Sequence, residues 1–261
     1  MSDWLHTWIG ATRPDRITIA GRDLPSELMG RLTLTELAYL LLTRREPTPA
    51  QRRVCDAALV SLADHGFTPS SLATRLTYTG APEAVQGAVA AGLLGAGSML
   101  LGPAGDTALF LAAALSAAGA GADAGDGDLR AVADRAVAER RAAGLRVPGI
   151  GHPVHRDEDP RTPRFYEIAA EEDLLGPHLR LLRHVAAAYE AAAGRRLPIN
   201  GAGAAGAALA DAGLPPASVR GFVLIGRTAG LVAHLAEEAE HPIGSRLWLE
   251  IDHRASEAGE P

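Results

Sequence analysis

The segment Gly149-Ile150-Gly151-His152-Pro153-Val154-His155-Arg156-Asp157-Glu158-Asp159-Pro160-Arg161 concentrates two histidines and two arginines in one short stretch. Its two glycines permit a positive φ or a close approach of the backbone to a ligand. Its two prolines prevent a helix from running through it. The segment therefore predicts a loop that holds a proton-transferring imidazole beside fixed positive charge, a combination suited to carboxylate chemistry.

The composition around this loop is typical of a helical globular protein. The chain has 261 residues, of which 47% are hydrophobic and 21% charged, enough for a large core in one domain or two unequal lobes. Alanine, leucine, arginine and glutamate dominate, and these residues favour helices. One short extended piece is expected at residues 16–21, and no pattern predicts a sheet. We therefore expect an all-α fold.

Individual helices can be placed from caps and breakers. Thr33 followed by Glu36 predicts a capping box at the start of a helix that runs through Leu42. The glycine and aspartate run at residues 120–128 predicts a linker, and the tail after Arg254 is expected to fray. The other predicted helices cover residues 50–63, 70–76, 82–94, 106–118, 129–143, 163–172, 177–193, 202–212 and 216–240.

Charge, cysteine content and apolar runs exclude several classes of function. The net charge of −6 argues against nonspecific nucleic-acid binding, which needs a basic excess. The first residues lack the pattern of a signal peptide, and the most apolar run, residues 107–122, is short for a membrane span. We therefore predict a cytoplasmic protein without a membrane partner. The single cysteine, Cys55, lies among helix formers and is expected in the core rather than as a nucleophile.

Two motifs admit a functional and a structural interpretation. Residues 201–206 spell G-x-G-x-x-G, but they follow a long helix instead of a strand, so we expect close helix packing rather than a dinucleotide site. His152 and His155 have the spacing of a metal pair. Pro153 prevents a regular helix from aligning them and no further ligand pattern accompanies them, so we predict no metal site. A catalytic or substrate-binding loop is favoured over a surface histidine pair.

Scattered arginines suggest a carboxylate ligand. Arg227 follows an apolar run, where a guanidinium is expensive to bury unless it meets a carboxylate. Together with Arg161 and Arg246 it could hold a di- or tricarboxylate, because arginine forks bind carboxylates bidentately. A structural pair with Glu237 or Glu238 is the alternative. The residues alone leave both interpretations open.

These motifs together resemble the citrate synthase superfamily. Residues 149–161 match its G-x-G-H-x-V-x-x-x-x-D-P-R signature, and residues 64–66 resemble its upstream Asp-His element. Residues 197–200 resemble its later active-site turn, and residues 226–234 resemble its arginine-bearing helix. The resemblance covers nearly the whole chain. The short length and the segments 62–66 and 242–248 are most similar to the citryl-CoA lyase branch.

The resemblance implies a nearly all-α homodimer with two lobes in each subunit. We expect residues 1–105 and 216–261 to form the large lobe and residues 106–215 the small lobe that carries the His152 loop. The implied reaction joins an acyl-CoA such as acetyl-CoA to a 2-oxo acid such as oxaloacetate, or reverses that step. The CoA thioester is then a substrate, and no tightly bound cofactor is expected.

The family's site residues carry over one by one. His152 would protonate the oxo-acid carbonyl oxygen during bond formation and take that proton back during cleavage. His65, Arg161 and Arg227 would hold the carboxylates, and Arg246 would reach in from the partner subunit. The CoA-binding residues would be Ile150, Gly151, Val154, His155 and Arg156.

Two departures from the family pattern bear on activity. Ala202 stands where the family places the aspartate that removes the α-proton, and residues 97–103 lack the histidine that the synthases have there. Asp106 is a candidate for a relocated base, with a helix N-cap beside Thr107 as the alternative. A catalytically degenerate homologue that binds CoA thioesters or carboxylates therefore stands beside the enzyme interpretation, which we favour.

Overall fold

Helices dominate the computed structural model, which describes residues 6–257. About 66% of the structure is helical, which confirms the predicted all-α class. π-helical turns lie at Leu24–Leu28 and Gly97–Leu101, and a 3-10 turn over Pro216–Ser218 precedes the long helix α10. The α-helices in chain order are α1 Leu34–Thr43, α2 Pro49–Ser61, α3 Pro69–Gly80, α4 Val85–Gly95, α5 Gly102–Ala117, α6 Asp126–Ala142, α7 Arg161–Glu171, α8 Pro177–Ala193, α9 Gly201–Asp211, α10 Val219–Glu240 and α11 Gly244–Glu257.

Side-chain caps set the starts of the first three helices. The Thr33 hydroxyl accepts the Glu36 N–H, and the Glu36 carboxylate accepts the Thr33 N–H, so the predicted capping box is confirmed. Thr48 and Thr68 form the same arrangement ahead of α2 and α3. A proline follows each of these two caps, at a helical position where its missing N–H costs no hydrogen bond.

A small antiparallel sheet near the N-terminus is the main element that the sequence pattern does not predict. Strands β1 Gly10–Arg13, β2 Arg16–Ile19 and β3 Arg22–Asp23 pair in that order. The expected extended piece at residues 16–21 contains β2, but the expectation of no sheet is wrong. The turn from β2 to β3 takes only two residues, Ala20 and Gly21, both with positive φ. Such short strands offer too few alternating residues for a period-two pattern to emerge.

Helix α9 forms the centre of the core and is buried at every position from residue 201 to residue 210. Nearly all of its residues are glycine or alanine, so neighbouring backbone can approach it closely. A Cβ at Gly203 would overlap the backbone of Gly149, and a Cβ at Gly206 would overlap the backbone of Ala104. The G-x-G-x-x-G pattern is therefore a close-packing helix, as the packing interpretation predicts.

Several predicted boundaries move in the structure. Helix α5 begins at Gly102 and its N-cap is Leu101, so Asp106 lies inside the helix and is not its cap. The predicted division between residues 105 and 106 falls within this continuous helix, and the two-lobe organisation itself stays a prediction. Helix α11 continues through Arg254 to Glu257, so the fraying expected after Arg254 is wrong as far as the described residues extend.

The core accounts for two apolar features of the sequence. The stretches Gly97–Ala117 and Pro216–Glu240 are long and apolar enough to cross a membrane by length and composition, a test that core helices also pass. Both contribute to the buried core, through residues such as Leu111 and Phe222. Cys55 is fully buried there, and burial raises the pKa of its thiol to about 12. The predicted core role of Cys55 is confirmed, because the nucleophilic form of cysteine is the thiolate.

Candidate active site

The signature loop is fastened to the start of α9. The N–H of Gly151 donates to the Pro198 carbonyl at 2.7 Å, and the N–H of Asn200 donates to the Gly149 carbonyl at 3.0 Å. The Asn200 side chain adds a third bond from Nδ2 to the Gly151 carbonyl, while its Oδ1 caps α9 by accepting the Gly203 N–H. Gly149 and Gly151 have φ of 85° and 83°, which glycine adopts without strain. The loop is thereby held over the N-terminus of α9.

The His152 imidazole is held in one tautomer by its own loop. Its Nδ1 accepts the backbone N–H groups of Val154 at 3.1 Å and His155 at 3.0 Å. Because a backbone N–H can only donate, Nδ1 carries no proton, and the neutral ring bears its proton on Nε2. His152 is thus prepared to donate from Nε2 to a ligand oxygen. The implied proton transfers of His152, to the substrate oxygen in formation and back in cleavage, stay predictions.

The surroundings keep His152 neutral. Burial lowers the pKa of His152 below its ordinary value. Asp159 acts in the opposite direction, but the charges of Arg161 and of the neighbouring imidazoles add to the effect of burial. At neutral pH the ring therefore remains in the form whose Nε2 is a hydrogen-bond donor.

Three imidazoles from two loops meet at this point, and we call His65, His152 and His155 the imidazole cluster. The centroid of the His152 ring lies 5.6 Å from that of the His65 ring and 4.5 Å from that of the His155 ring. One nitrogen of each ring lies within 4.8 Å of the others, a separation that a metal ion could bridge. Coordination at His152 Nε2 would require the lone pair that its proton occupies. The cluster therefore fits a metal ion poorly.

Arg161 is oriented by a bidentate pair with Asp159. Its Nε donates to Oδ1 at 2.9 Å and its Nη2 donates to Oδ2 at 2.8 Å. The same carboxylate accepts the Gly201 N–H at 2.7 Å, which joins the loop to α9. Burial acts to raise the pKa of Asp159, but these hydrogen bonds outweigh it and hold the pKa well below its usual range. The predicted site omits Asp159, although its place in the D-P-R motif is a signal that could find it.

Arg227 is a buried guanidinium without a hydrogen-bond partner for two of its nitrogens. The residue is 6% exposed, and among residues 6–257 neither Nε nor Nη1 finds an acceptor. The Asp64 carboxylate lies 3.9 Å from Nη1, too far for a hydrogen bond. Burial lowers the pKa of Arg227, Asp64 opposes that effect, and the charge of Arg161 adds to it. An unpaired buried charge is costly, so this geometry favours a ligand carboxylate as the missing partner.

The two glutamates considered as partners of Arg227 bind a different arginine. Arg75 of α3 is 1% exposed; its Nη1 donates to Glu238 at 2.9 Å and its Nη2 pairs with Glu237. The structural interpretation of Arg227 is therefore wrong in this form. Nothing near Arg75 in the chain signals its burial, so its role cannot be predicted from the sequence.

Arg75 also fixes the turn that carries His65. Its Nε donates to His234 Nδ1 at 3.0 Å, which leaves His234 Nε2 to donate to Asp64 at 2.9 Å. Asp64 in turn accepts the Gly66 N–H at 2.7 Å. Burial acts to raise the pKa of Asp64, but the hydrogen bonds from Gly66 and His234 hold it below its ordinary value. This chain of bonds orients the turn beside the imidazole cluster.

The remaining predicted site residues take no part in the side-chain hydrogen bonds described above. Asp106 is exposed on α5, although its neighbour Thr107 faces Gly149. Arg246 is exposed in the first turn of α11, and its role toward a partner subunit stays a prediction. Ala202 is buried in the first turn of α9. The predicted CoA contacts also stay predictions; Ile150 is half-buried and bridges Ile199, and the exposed side chains are Val154 and Arg156.

Comparison with known families places these features in context. Residues 9–248 match the family model described as Citrate synthase, C-terminal domain. The chain is 30% identical over 227 residues to proteins named "Putative citrate synthase 2" in Mycobacterium bovis and Mycobacterium tuberculosis. The match covers 82% of this chain and 55% of those proteins, so the chain spans about half the length of the curated relatives it matches.

Solved structures of similar fold include lyases and synthases. Citryl-CoA lyase from Hydrogenobacter thermophilus is 31% identical with a TM-score of 0.78, over 90% of this chain and 87% of that one. Citrate synthase from Thermoplasma acidophilum, solved with carboxymethyl coenzyme A and oxaloacetate, is 18% identical with a TM-score of 0.62, over 80% and 54% of the two chains, and shows the fold alone. The family match, the signature loop and the buried arginines agree, and the chain belongs to the citrate synthase family.

Proposed function

We propose that this protein binds a CoA thioester with a di- or tricarboxylate and cleaves or forms the carbon–carbon bond between an acetyl-CoA-like unit and an oxaloacetate-like 2-oxo acid. The observation that carries the proposal is the buried Arg227 guanidinium, whose unpaired nitrogens call for a ligand carboxylate. Similarity over most of both chains to a citryl-CoA lyase favours citryl-CoA cleavage as the direction.

Carboxylate capture follows from the two arginines. A ligand carboxylate would supply the acceptors that Arg227 lacks, and charge-assisted bonds of this kind are strong when desolvated. Arg161 is already oriented by Asp159, and its Nη1 has only the Ser61 carbonyl at 3.4 Å as a partner. That nitrogen can therefore turn to a second carboxylate. The exposed His65 imidazole lies 5.6 Å from the His152 ring, measured between centroids, and would be a further donor to the ligand.

His152 supports the bond-making or bond-breaking step as a hydrogen-bond donor. Its Nε2–H would point to the oxygen that is a hydroxyl in the citryl thioester and a carbonyl in the oxo acid. Negative charge develops on this oxygen as the carbon–carbon bond breaks or forms. A donor fixed in advance stabilises such charge without reorganisation.

CoA binding and dimerisation complete the proposal. The exposed Val154 and Arg156 offer an apolar contact and a guanidinium to the adenine and phosphates of CoA. Helix α11 exposes Trp248, Leu249 and Ile251 at 62%, 56% and 60%, a surface suited to cover by a second copy. In such a homodimer Arg246, on the same helix, would reach the partner's carboxylate site.

A binding protein without catalysis is the second candidate, and Ala202 favours it. A methyl group cannot carry a proton, and general acid–base catalysis is typically worth about 10²–10⁴-fold in rate. An ATP citrate lyase of Methanosaeta concilii with one aspartate changed to alanine has been solved in complex with (3S)-citryl-CoA. In that protein, an aspartate-to-alanine change is thus compatible with binding of the thioester.

The test is a product assay with the purified chain. We expect citryl-CoA to yield acetyl-CoA, detected by mass spectrometry, and oxaloacetate, detected by coupled reduction with malate dehydrogenase. His152→Ala should abolish both products. Thermal stabilisation by CoA or citrate without product from any acyl-CoA and oxo-acid pair would support the binding protein. If the protein shows no thermal stabilisation and forms no product, both candidates are contradicted.

A further inference from the structure

We propose that His234 is a positioning residue that holds the Asp64 carboxylate away from Arg227 and so keeps the Arg227 guanidinium open to a ligand carboxylate. The inference rests on the proposed function and deepens it, because it explains how a buried cation stays unpaired with an acid so close by. Its basis is that two side chains approach the same atom, Asp64 Oδ1.

His234 and Arg227 compete for one oxygen of Asp64. His234 Nε2 lies 2.9 Å from Asp64 Oδ1, within hydrogen-bond distance, whereas Arg227 Nη1 lies 3.9 Å from that atom. The two residues are seven positions apart on α10, about two helical turns, so they project from the same face of the helix. The imidazole therefore makes the bond to Oδ1, and the guanidinium is left without it.

Arg75 fixes the His234 ring as a donor to Asp64. A guanidinium can only donate, and Arg75 Nε donates to His234 Nδ1 at 3.0 Å, so Nδ1 carries no proton and the proton of the ring is on Nε2. Arg75 is fully buried and is held in turn by the carboxylate of Glu238 at 2.9 Å. The direction of the hydrogen bond into Asp64 is thus set by a buried group on another helix.

Asp64 would close on Arg227 if the His234 bond were lost. The Asp64 side chain is 47% exposed, so packing does not hold it in place. The Gly66 N–H binds the other oxygen, Oδ2, at 2.7 Å, which leaves Oδ1 to His234. A shift of about 1 Å would bring Oδ1 within hydrogen-bond distance of Arg227 Nη1. The buried guanidinium would gain from this ion pair, because its Nε and Nη1 have no partner among the described residues.

An ion pair between Asp64 and Arg227 would compete with the ligand. A citrate carboxylate would have to displace Asp64, and the apparent affinity falls in proportion to the fraction of molecules whose guanidinium is open. By holding Asp64, His234 keeps that fraction high. It acts on ligand binding through another residue and needs no contact with the ligand itself.

Two amide substitutions separate the two bonds of His234. Asparagine places an acceptor near the position of Nδ1 but does not reach Asp64, whereas glutamine places an N–H donor near the position of Nε2. In calorimetric titration with citrate, His234→Asn should raise Kd by about 10-fold, and His234→Gln should stay within about threefold of wild type. Denaturant unfolding verifies that both variants are folded.

A double-mutant cycle with Asp64→Asn tests whether the carboxylate is the competitor. The amide in Asp64→Asn carries no charge and cannot form the ion pair, so adding His234→Asn to it should leave Kd unchanged. His178→Ala is the matched control, because His178 also binds a buried carboxylate, that of Asp211 at 2.8 Å, but at the end of α9 opposite Gly201. It should leave the Kd for citrate unchanged.

Four results would overturn the inference. An unchanged Kd in folded His234→Asn, with wild type that binds citrate, would refute it and leave the proposed carboxylate site standing. Equal increases in Kd from His234→Asn with and without Asp64→Asn would show that Asp64 is not the competitor. Weaker binding by His234→Gln than by His234→Asn would assign the effect to the Arg75 bond. Wild type that binds no citrate would refute the proposed carboxylate site together with this inference.

Discussion

Two buried arginines, Arg75 and Arg227, have almost the same exposure but opposite bonding. Arg75 is 1% exposed and is bound by two glutamates and His234. Arg227 is 6% exposed, and two of its nitrogens have no hydrogen-bond partner among the described residues. A fully paired buried charge is costly to strip of its partners, whereas the unpaired nitrogens of Arg227 are the observation that supports the proposed carboxylate site. Asp64 touches both systems, through His234 and at 3.9 Å from Arg227.

The largest expected effect is the loss of Arg75. In Arg75→Leu the buried carboxylate of Glu238, 2% exposed, would lose its charge partner. We expect the free energy of unfolding to fall by about 3–5 kcal/mol, measured by denaturant titration. Arg53→Leu is the control, because Arg53 also pairs with two glutamates but at the surface, and it should change stability far less. Equal effects of the two changes would break the contrast between buried and exposed pairing.

Removal of Arg227 should weaken ligand binding without lowering stability, unlike removal of Arg75. In Arg227→Leu the binding free energy for citrate should weaken by about 2 kcal/mol or more, roughly a 30-fold loss of affinity, because the ligand carboxylate loses its buried guanidinium partner. The free energy of unfolding should stay level or rise, since an unpaired buried charge is removed. Isothermal titration and denaturant unfolding measure the two quantities. A loss of stability as large as that of Arg75→Leu would mean that Arg227 is structural. Arg227→Lys should keep part of the affinity, since it retains charge without the fork.

Acid titration tests the third arginine, Arg161, which has a carboxylate partner and one nitrogen, Nη1, with only a long hydrogen bond to the Ser61 carbonyl. The pKa of its partner Asp159 is lowered in the folded protein, so the ionised carboxylate stabilises the fold. That stabilisation is complete above the ordinary carboxyl pKa of 3.8 and is lost as the pH falls below it. We expect the free energy of unfolding of Asp159→Asn to fall less steeply than that of wild type as the pH is lowered into the acid range. Asp157→Asn, at an exposed position on the same loop, should keep the wild-type dependence on pH. A wild-type dependence in Asp159→Asn would show that Asp159 is not the source of this acid sensitivity.

The smallest expected effect comes from the outer partner of Arg75. Glu237 has a side chain that is 60% exposed, so water screens its pair with the guanidinium. Glu237→Gln should cost only about 0–1 kcal/mol of unfolding free energy. Glu238→Gln, at the buried end of the same arginine, should cost clearly more. Similar losses of unfolding free energy in Glu237→Gln and Glu238→Gln would show that burial does not determine how much each ion pair contributes to stability.

Much of the fold can be predicted from local sequence. The Thr33–Glu36 box, the prolines that begin α2 and α3, and the helix-forming composition place most helices within a few residues. The short N-terminal sheet and helix α11 escape prediction for different reasons. The strands are too brief to establish a period, and α11 follows Pro242 with a start set by the Glu238 carboxylate, which accepts the N–H groups of Ile243 and Gly244.

The candidate site divides in the same way. The signature loop is enough to propose His152, His155 and Arg161, because all three lie within one continuous segment. Asp159 lies in that segment, but its role depends on the Gly201 N–H, which comes from α9. The network through Arg75 and His234 joins residues more than 150 positions apart, so no local pattern can reveal it.

The sequence by itself determined the helical class, the residues gathered in the signature loop and the family, because propensity, caps and a contiguous motif are local properties. Only the tertiary structure decided which arginine is paired and which is open. Glu237 and Glu238 share helix α10 with Arg227, yet both bind Arg75 from α3. It also decided the His152 tautomer, through two backbone N–H groups that a turn brings to Nδ1. Burial and hydrogen-bond geometry depend on what the fold places nearby, and those neighbours set the charge and proton state of each group.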